Sequence, residues 1–158
     1  MCLVISLLFL SSCIWGYLQA AVTPGTTMDV ADLTIALPEM KYYVVQLKAT
    51  QEKASAVCKI FGTELVSIPD ANKNGIITNL ILSSGERYWT SGRKIPNGKW
   101  IWWYKLPVTY FNWDIGQPSN SEKGQLCLQL LPSGEWSAKP CDTEQYFICE
   151  GINVTNSS

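Results

Sequence analysis

The sequence predicts an α+β domain in which two helices come first and an antiparallel sheet is built from the short strands that follow. Two segments before Gly85 repeat their apolar residues with a helical period. Beyond Gly85 this period vanishes, and aromatic and β-branched runs alternate with turns rich in Gly, Pro and Asn. Helices segregated from a run of strands are typical of an α+β architecture.

The first predicted strand and helix lie near residue 40. Residues 42–45, Tyr-Tyr-Val-Val, have the composition of a strand. Thr50 is the expected N-cap of a helix that stops at Gly62. The spacing i, i+3, i+4, i+7 gives this helix an apolar face made of Ala54, Val57, Cys58 and Phe61.

A second strand and a second helix follow. Residues 65–68, Leu-Val-Ser-Ile, are predicted to form a short strand, and Pro69-Asp70 opens the helix. Gly75 is an unfavourable residue for its interior. The core side of this helix is predicted to carry Ile76, Ile77, Leu80 and Ile81.

The C-terminal half is predicted to consist of strands, with one long loop. The strand-like runs are residues 88–90, 100–103, 126–130 and 146–149. Residues 106–125 show little regular pattern. Loops of that length are usually functional, but an ordinary surface excursion held by neighbouring disulfides fits equally well.

Composition excludes several classes of function. The chain has 158 residues, the size of one domain, and 47% hydrophobic residues suffice for a packed core. A net charge of −1 lacks the basic footprint of a nucleic-acid binder. The absence of histidine excludes Ser-His and Cys-His nucleophiles and imidazole zinc sites. The spacing of Glu122, Glu135 and Glu144 does not support a glycosidase pair, so we expect no enzyme.

The N-terminus predicts secretion. Residues 1–20 carry no charged side chain and include an apolar run with the length of a signal peptide core, while residues 21–38 form a leader or linker. A signal-anchor helix reaching Trp15 and Tyr17 is the alternative. Ser11 and Ser12 interrupt that run and no basic cluster follows, which favours cleavage and a mature protein without a membrane segment.

Cysteines and glycosylation motifs indicate the same compartment. Cleavage would leave four cysteines, which could form two disulfides in three connectivities: Cys58, Cys127, Cys141 and Cys149. The polar tail, residues 151–158, contains two acceptor motifs for N-glycosylation, at Asn153 and Asn156. We therefore expect a secreted, extracellular glycoprotein.

Residues 39–150 resemble the C-type lectin-like domain family, in particular its small secreted insect members. The motifs that carry the resemblance occur in the expected order: Glu64-Leu65-Val66-Ser67-Ile68, Tyr88-Trp89-Thr90-Ser91-Gly92, Asn112-Trp113, Gly116-Gln117-Pro118, Trp136 and Phe147-Ile148-Cys149-Glu150. The resemblance implies two helices with antiparallel sheets, a long disulfide-anchored loop, and the pairings Cys58–Cys149 and Cys127–Cys141. It also implies that Trp89, Trp113 and Trp136 lie in the core.

Sugar-binding members of that family coordinate calcium with a Glu-Pro-Asn or Gln-Pro-Asp tripeptide, a Glu two residues before a conserved cysteine, and an Asn-Asp pair after a Trp. Here those positions carry Gln117, Ser119, Gln125, Ser137 and Ala138, none of them a carboxylate. Calcium requires six to eight oxygen ligands, and its affinity depends on their charge. We expect no metal site and no cofactor.

The resemblance implies carbohydrate recognition of the galactose type, in settings that include innate immunity. The missing carboxylates lead us to expect that this recognition does not depend on calcium. Amides and hydroxyls suit sugar hydroxyls, and the candidate contacts are Gln117, Ser119, Asn120, Gln125 and Ser137. The alternative is calcium-independent recognition of an extracellular protein, with aromatic anchors near Trp102, Trp103 and Tyr110. Alternation along a strand predicts that one residue of the Trp102-Trp103 pair faces outward.

Overall fold

The computed structural model describes residues 39–119 and 124–152. In it, the first and last strands pair with each other at one edge of the sheet. The expected signal peptide and leader, the candidate contact Asn120, and the glycosylation residues Asn153 and Asn156 lie outside the described residues. Within the described ranges, no helix has both the length and the apolar character needed to span a membrane.

Residues 39–119 and 124–152 form two α-helices and seven strands, which confirms the α+β prediction. In chain order, the elements are β1 (Met40–Ala49), α1 (Gln51–Ile60), β2 (Glu64–Leu65), α2 (Ala71–Ile81), β3 (Tyr88–Lys94), β4 (Trp100–Ile101), a 3-10 turn (Trp103–Lys105), β5 (Leu126–Leu130), β6 (Trp136–Pro140) and β7 (Gln145–Ile152). The sequence did not predict β6 as a strand.

The sheet has the strand order β1-β7-β3-β5-β6, with β2 added to β7 and β4 added to β3. Every pairing is antiparallel except β3 with β7, so the expectation of an antiparallel sheet needs this one correction. Parallel neighbours require a long crossover connection. The chain from β4 to β6, including the long loop, supplies it.

Helix α1 begins and ends where the sequence predicts. The Thr50 hydroxyl accepts a hydrogen bond from the Lys53 amide, and Gly62 adopts a left-handed φ of 67° after the helix. Ala54 and Cys58 are buried as expected, but Phe61 is exposed. Because α1 ends at Ile60, the helical period no longer determines the direction of the next side chain.

The buried stripe of α2 is rotated from the predicted one. Asp70 caps the helix, and Ile77 and Ile81 are buried, whereas Ile76 and Leu80 are exposed. The third buried position is a polar residue, Asn74. The Asn74 side chain donates a hydrogen bond to the Gly134 carbonyl at 2.9 Å and accepts one from the Trp136 indole at 2.8 Å. Both polar ends of the buried amide therefore have a hydrogen-bond partner.

We expect Asn74→Ala to lower the free energy of unfolding by about 2 kcal/mol, because the buried Trp136 N–H would lose its acceptor. Asn72→Ala provides a matched control on the exposed side of the same helix. Urea denaturation of both variants measures the difference. Equal losses would contradict a structural role for the Asn74 side chain.

Tryptophans fill much of the core. Trp89 and Trp136 are fully buried, as predicted, whereas Trp113 is half-buried and packs against the core. Trp102 is buried and Trp103 half-buried, so Trp103 is the more exposed of the pair. The chain leaves β4 after Ile101 and enters the 3-10 turn, so strand alternation does not decide their directions.

Two disulfides cross-link this fold, with the pairing that the resemblance implies. Cys58–Cys149 joins α1 to β7 across a sequence separation of 91 residues. Cys127–Cys141 joins β5 to the turn after β6 across 14 residues. Cys127 in the second bridge follows the end of the long loop, Gln125, by two residues.

Candidate functional site

The long loop is attached to β6 through backbone hydrogen bonds. The Trp136 amide donates to the Asn112 carbonyl at 2.7 Å, and the Asp114 amide donates to the Trp136 carbonyl at 2.9 Å. The Gln117 amide in turn donates to the Asp114 carbonyl at 2.9 Å. The first part of the loop is therefore fixed to the sheet, and it carries Gln117 to the position where the candidate site begins.

The Gln117 side chain connects the loop to β6. Its Oε1 accepts hydrogen bonds from the Ala138 amide at 3.0 Å and the Ser119 amide at 3.3 Å. The peptide between Gln117 and Pro118 is cis. The oxygen that the family would use as a metal ligand is thus engaged by two backbone donors of the protein itself.

Ser137 is a correction to the predicted contact set. It is only 5% exposed, and its hydroxyl accepts a hydrogen bond from Gln129 Nε2 at 2.6 Å. The two residues lie opposite each other on β6 and β5. Because its hydroxyl is buried and bonded to Gln129, Ser137 is not presented to a ligand.

Gln125 and Ser119 remain at the surface. The Gln125 side chain is exposed immediately before β5. The backbone carbonyl of Gln125 accepts a hydrogen bond from the Cys141 backbone amide at 3.0 Å. Ser119 is half-buried in the loop. Of the five predicted contacts, Gln125 is therefore exposed and Gln117 and Ser119 are half-buried.

The five positions where the family places calcium ligands carry no acidic side chain in this protein. Across residues 39–119 and 124–152, no three or more His, Cys, Asp or Glu side chains group as metal ligands would. The five family positions offer amides, hydroxyls and, at Ala138, a methyl group. Such a donor set lacks the negative charge on which calcium affinity depends.

A groove beside α1 was missed by the sequence analysis. Its volume is about 820 Å³, and its lining includes Glu52, Ser55, Lys59, Arg93, Trp103 and Gln125. Glu52, Ser55 and Lys59 follow the i, i+3, i+7 spacing and form a polar stripe along α1. The spacing in the sequence is enough to predict that stripe. The opposite wall, with Arg93, Trp103 and Gln125, comes from segments far away in the sequence.

The exposed apolar residues differ from the predicted aromatic anchors. Trp102 is buried, and Tyr110 is half-buried with its ring edge-on to Trp136 at 5.4 Å between centroids. The large side chains that reach solvent around the 3-10 turn and the long loop are Tyr104, Leu106, Phe111 and Ile115. A protein-binding surface would therefore use these residues in place of Trp102 and Tyr110.

Tyr104 is held by an acidic residue from β2. Its hydroxyl donates to Glu64 Oε1 at 3.2 Å. This hydrogen bond, together with the nearby negative charge, favours the protonated phenol and raises the pKa of Tyr104 above its ordinary value. Tyr104 and Lys105 both adopt left-handed φ angles, 56° and 61°, so the 3-10 turn carries local backbone strain.

The sequence of this chain is similar to those of known lectin domains. The family model described as Lectin C-type domain matches residues 47–151. Human collectin-10 is 29% identical over 117 residues, and the match covers 72% of this chain and 42% of collectin-10. Perlucin from Haliotis laevigata is 28% identical over 124 residues, covering 73% of this chain and 80% of perlucin. The chain thus spans less than half of human collectin-10 and most of perlucin.

Solved structures give the same result. The carbohydrate-recognition domain of the mouse scavenger receptor C-type lectin superimposes with a TM-score of 0.67 at 28% identity, covering 73% of this chain and 91% of that domain. Human lithostathine superimposes with a TM-score of 0.66 at 27% identity, covering 75% of this chain and 95% of lithostathine. The predicted fold is therefore confirmed.

Proposed function

Because this chain belongs to the lectin C-type domain family, we propose that it is a secreted recognition protein that binds glycans without calcium. Recognition is proposed in preference to catalysis because the sequence contains no histidine and no supported carboxylate pair. Secretion is supported by Cys58, Cys127, Cys141 and Cys149, which are all paired in disulfides.

The observation that carries calcium independence is the Gln117 side chain. Its Oε1 already accepts two backbone hydrogen bonds, one of them from Ala138 at a position where the family places a metal ligand. A calcium ion would have to displace these donors and would find no carboxylate at the remaining positions. The loop is instead held in place by protein hydrogen bonds.

The proposed sugar contacts are polar groups that can both donate and accept. The exposed amide of Gln125 and the hydroxyl of Ser119 suit the mixed donor and acceptor pattern of a sugar ring. Gln117-Pro118 retains the first two residues of the galactose-type tripeptide. Galactose is therefore the neutral sugar that we assign to this surface.

We expect millimolar calcium to leave the thermal midpoint unchanged and a glycan-array signal to persist in chelator. Gln125→Ala should weaken the array signal about two- to tenfold, the effect of losing one hydrogen bond. Gln46→Ala is the matched control, since Gln46 is exposed on β1 at the opposite edge of the sheet from β6. A midpoint that rises with calcium and falls with chelator would contradict the proposal.

Protein recognition is the second candidate, and the exposure of Ile115 favours it. This side chain is 96% exposed at the turn of the long loop, and Phe111 nearby is also exposed. Large exposed apolar side chains at a loop tip are typical of protein-binding surfaces. If no glycan binds with or without chelator, this second function replaces the first.

A further inference from the structure

The groove beside α1 has opposite charges at its two ends. Near the start of α1, where the Gln51 amide donates to the Cys141 carbonyl at 3.1 Å, the lining includes the exposed acids Glu52 and Asp142. Lys59 lines the groove near the end of α1, and the Arg93 guanidinium lies beside the same Trp103 ring as the Lys59 ammonium group. Glu52 and Lys59 are separated by about 10 Å along the helix. The groove volume of about 820 Å³ is within the usual range for small-ligand sites.

At the basic end of the groove, the side chains of Lys59 and Arg93 both lie over the Trp103 ring. Lys59 Nζ lies 3.9 Å and the Arg93 guanidinium carbon 5.7 Å from the Trp103 ring centroid. No carboxylate in the described part of the chain lies within 4.0 Å of either cation. Two cations that converge on one aromatic ring without a carboxylate partner there provide a place for an anionic group.

Ser55 forms part of the groove wall on α1, between Glu52 and Lys59. This residue is 7% exposed, and its Oγ has no hydrogen-bond partner among the described residues. Because this oxygen is buried behind the groove wall, the contacts to a ligand come from the side chains around it.

The floor of the groove is rigidly hydrogen-bonded. The Gln51 side-chain amide donates to the Thr90 and Gly92 carbonyls, both at 2.8 Å. The Ser91 hydroxyl lies 2.8 Å from the Ser67 hydroxyl. These groups are engaged within the protein, so the polar groups left to contact a ligand are Gln125 and the charged side chains at the rim.

We propose that this groove binds a glycan bearing a carboxylate or sulfate, with the anion between Lys59 and Arg93 and sugar hydroxyls donating to Glu52 and Asp142. The inference rests on the proposed glycan recognition and names its ligand class. Gln125 lines the groove and also belongs to the loop surface, so one extended glycan can contact both. Carboxylates accept hydroxyl donors, and guanidinium and ammonium groups bind anionic oxygens.

Calorimetry in chelator at physiological ionic strength tests this assignment with three probes. Hyaluronan hexasaccharide carries carboxylates, heparin hexasaccharide carries sulfates as well, and lactose is the neutral galactoside. We expect at least one acidic probe to bind about tenfold or more tighter than lactose. Lys59→Ala and Arg93→Ala should each weaken acidic binding about tenfold, the value of one charged hydrogen bond. Lys53→Ala removes the same charge from α1 outside the groove and should change binding less than about twofold.

The outcomes separate this inference from the proposed function. If lactose binds in chelator but the acidic probes bind no tighter, or if Lys59→Ala and Lys53→Ala have equal effects, the groove assignment is overturned and glycan recognition stands. If none of the probes and no array glycan binds to the wild-type protein, both are overturned.

Discussion

Trp136→Ala is expected to lower the free energy of unfolding by about 3–5 kcal/mol, the usual range for deleting a buried tryptophan. Trp136 is fully buried, and its ring lies edge-on to the rings of Trp102 at 5.7 Å and Trp113 at 5.9 Å between centroids. The substitution would leave a large cavity and would also remove the indole donor to Asn74. Denaturant unfolding followed by circular dichroism measures the loss.

The same substitution should disturb the long loop, because the rings of Tyr110 and Trp113 in that loop pack edge-on against the Trp136 ring. Trp103→Ala is the matched control: it removes the same atoms from a half-buried position on the 3-10 turn. We expect it to cost less than half as much stability. Equal losses would mean that Trp136 is not central to the core.

Removing the Cys58–Cys149 bridge with paired alanine substitutions is expected to cost about 4.5 kcal/mol. In the chain-entropy model the cost grows with the length of the closed loop, and this bridge spans 91 residues. Removing Cys127–Cys141, which spans 14 residues, should cost about 3 kcal/mol. Guanidinium denaturation of the two double variants under non-reducing conditions compares them.

The effects of the two bridges on binding should run in the opposite order. Cys127 and Cys141 both line the groove, and Gln125 is hydrogen-bonded to the Cys141 amide. Loss of the short bridge should therefore weaken glycan binding more than loss of the long one, in protein that is still folded. The reverse order of stabilities would refute the loop-length argument.

Local patterns predicted the fold where one segment alone decides the structure. The Thr50 cap and the Gly62 stop depend only on short-range hydrogen bonds and backbone freedom, and both are confirmed. The rotation of α2 could not be predicted in this way. Its buried stripe includes Asn74 because Gly134 and Trp136, about sixty residues further along, provide partners for a polar side chain.

The candidate site was predictable only in part, for a similar reason. The resemblance located Gln117, Ser119 and Gln125 on the loop before β5, but it also selected Ser137, which is buried and hydrogen-bonded to Gln129. The groove combines Lys59, Arg93 and Asp142 from three distant parts of the chain. A sequence shows their types and spacing, whereas their convergence depends on the packing of α1 against the sheet.

The pairing of Met40 with Ile152 has a mechanical consequence. Tension applied to both ends of the domain would peel β1 from β7 one residue pair at a time, until it reached Cys149. From there, force would pass through the sulfur atoms to Cys58 and out along α1. The polypeptide between Cys58 and Cys149, including the long loop, lies off this load path. A ligand bound to the long loop would therefore remain bound while the molecule is stretched.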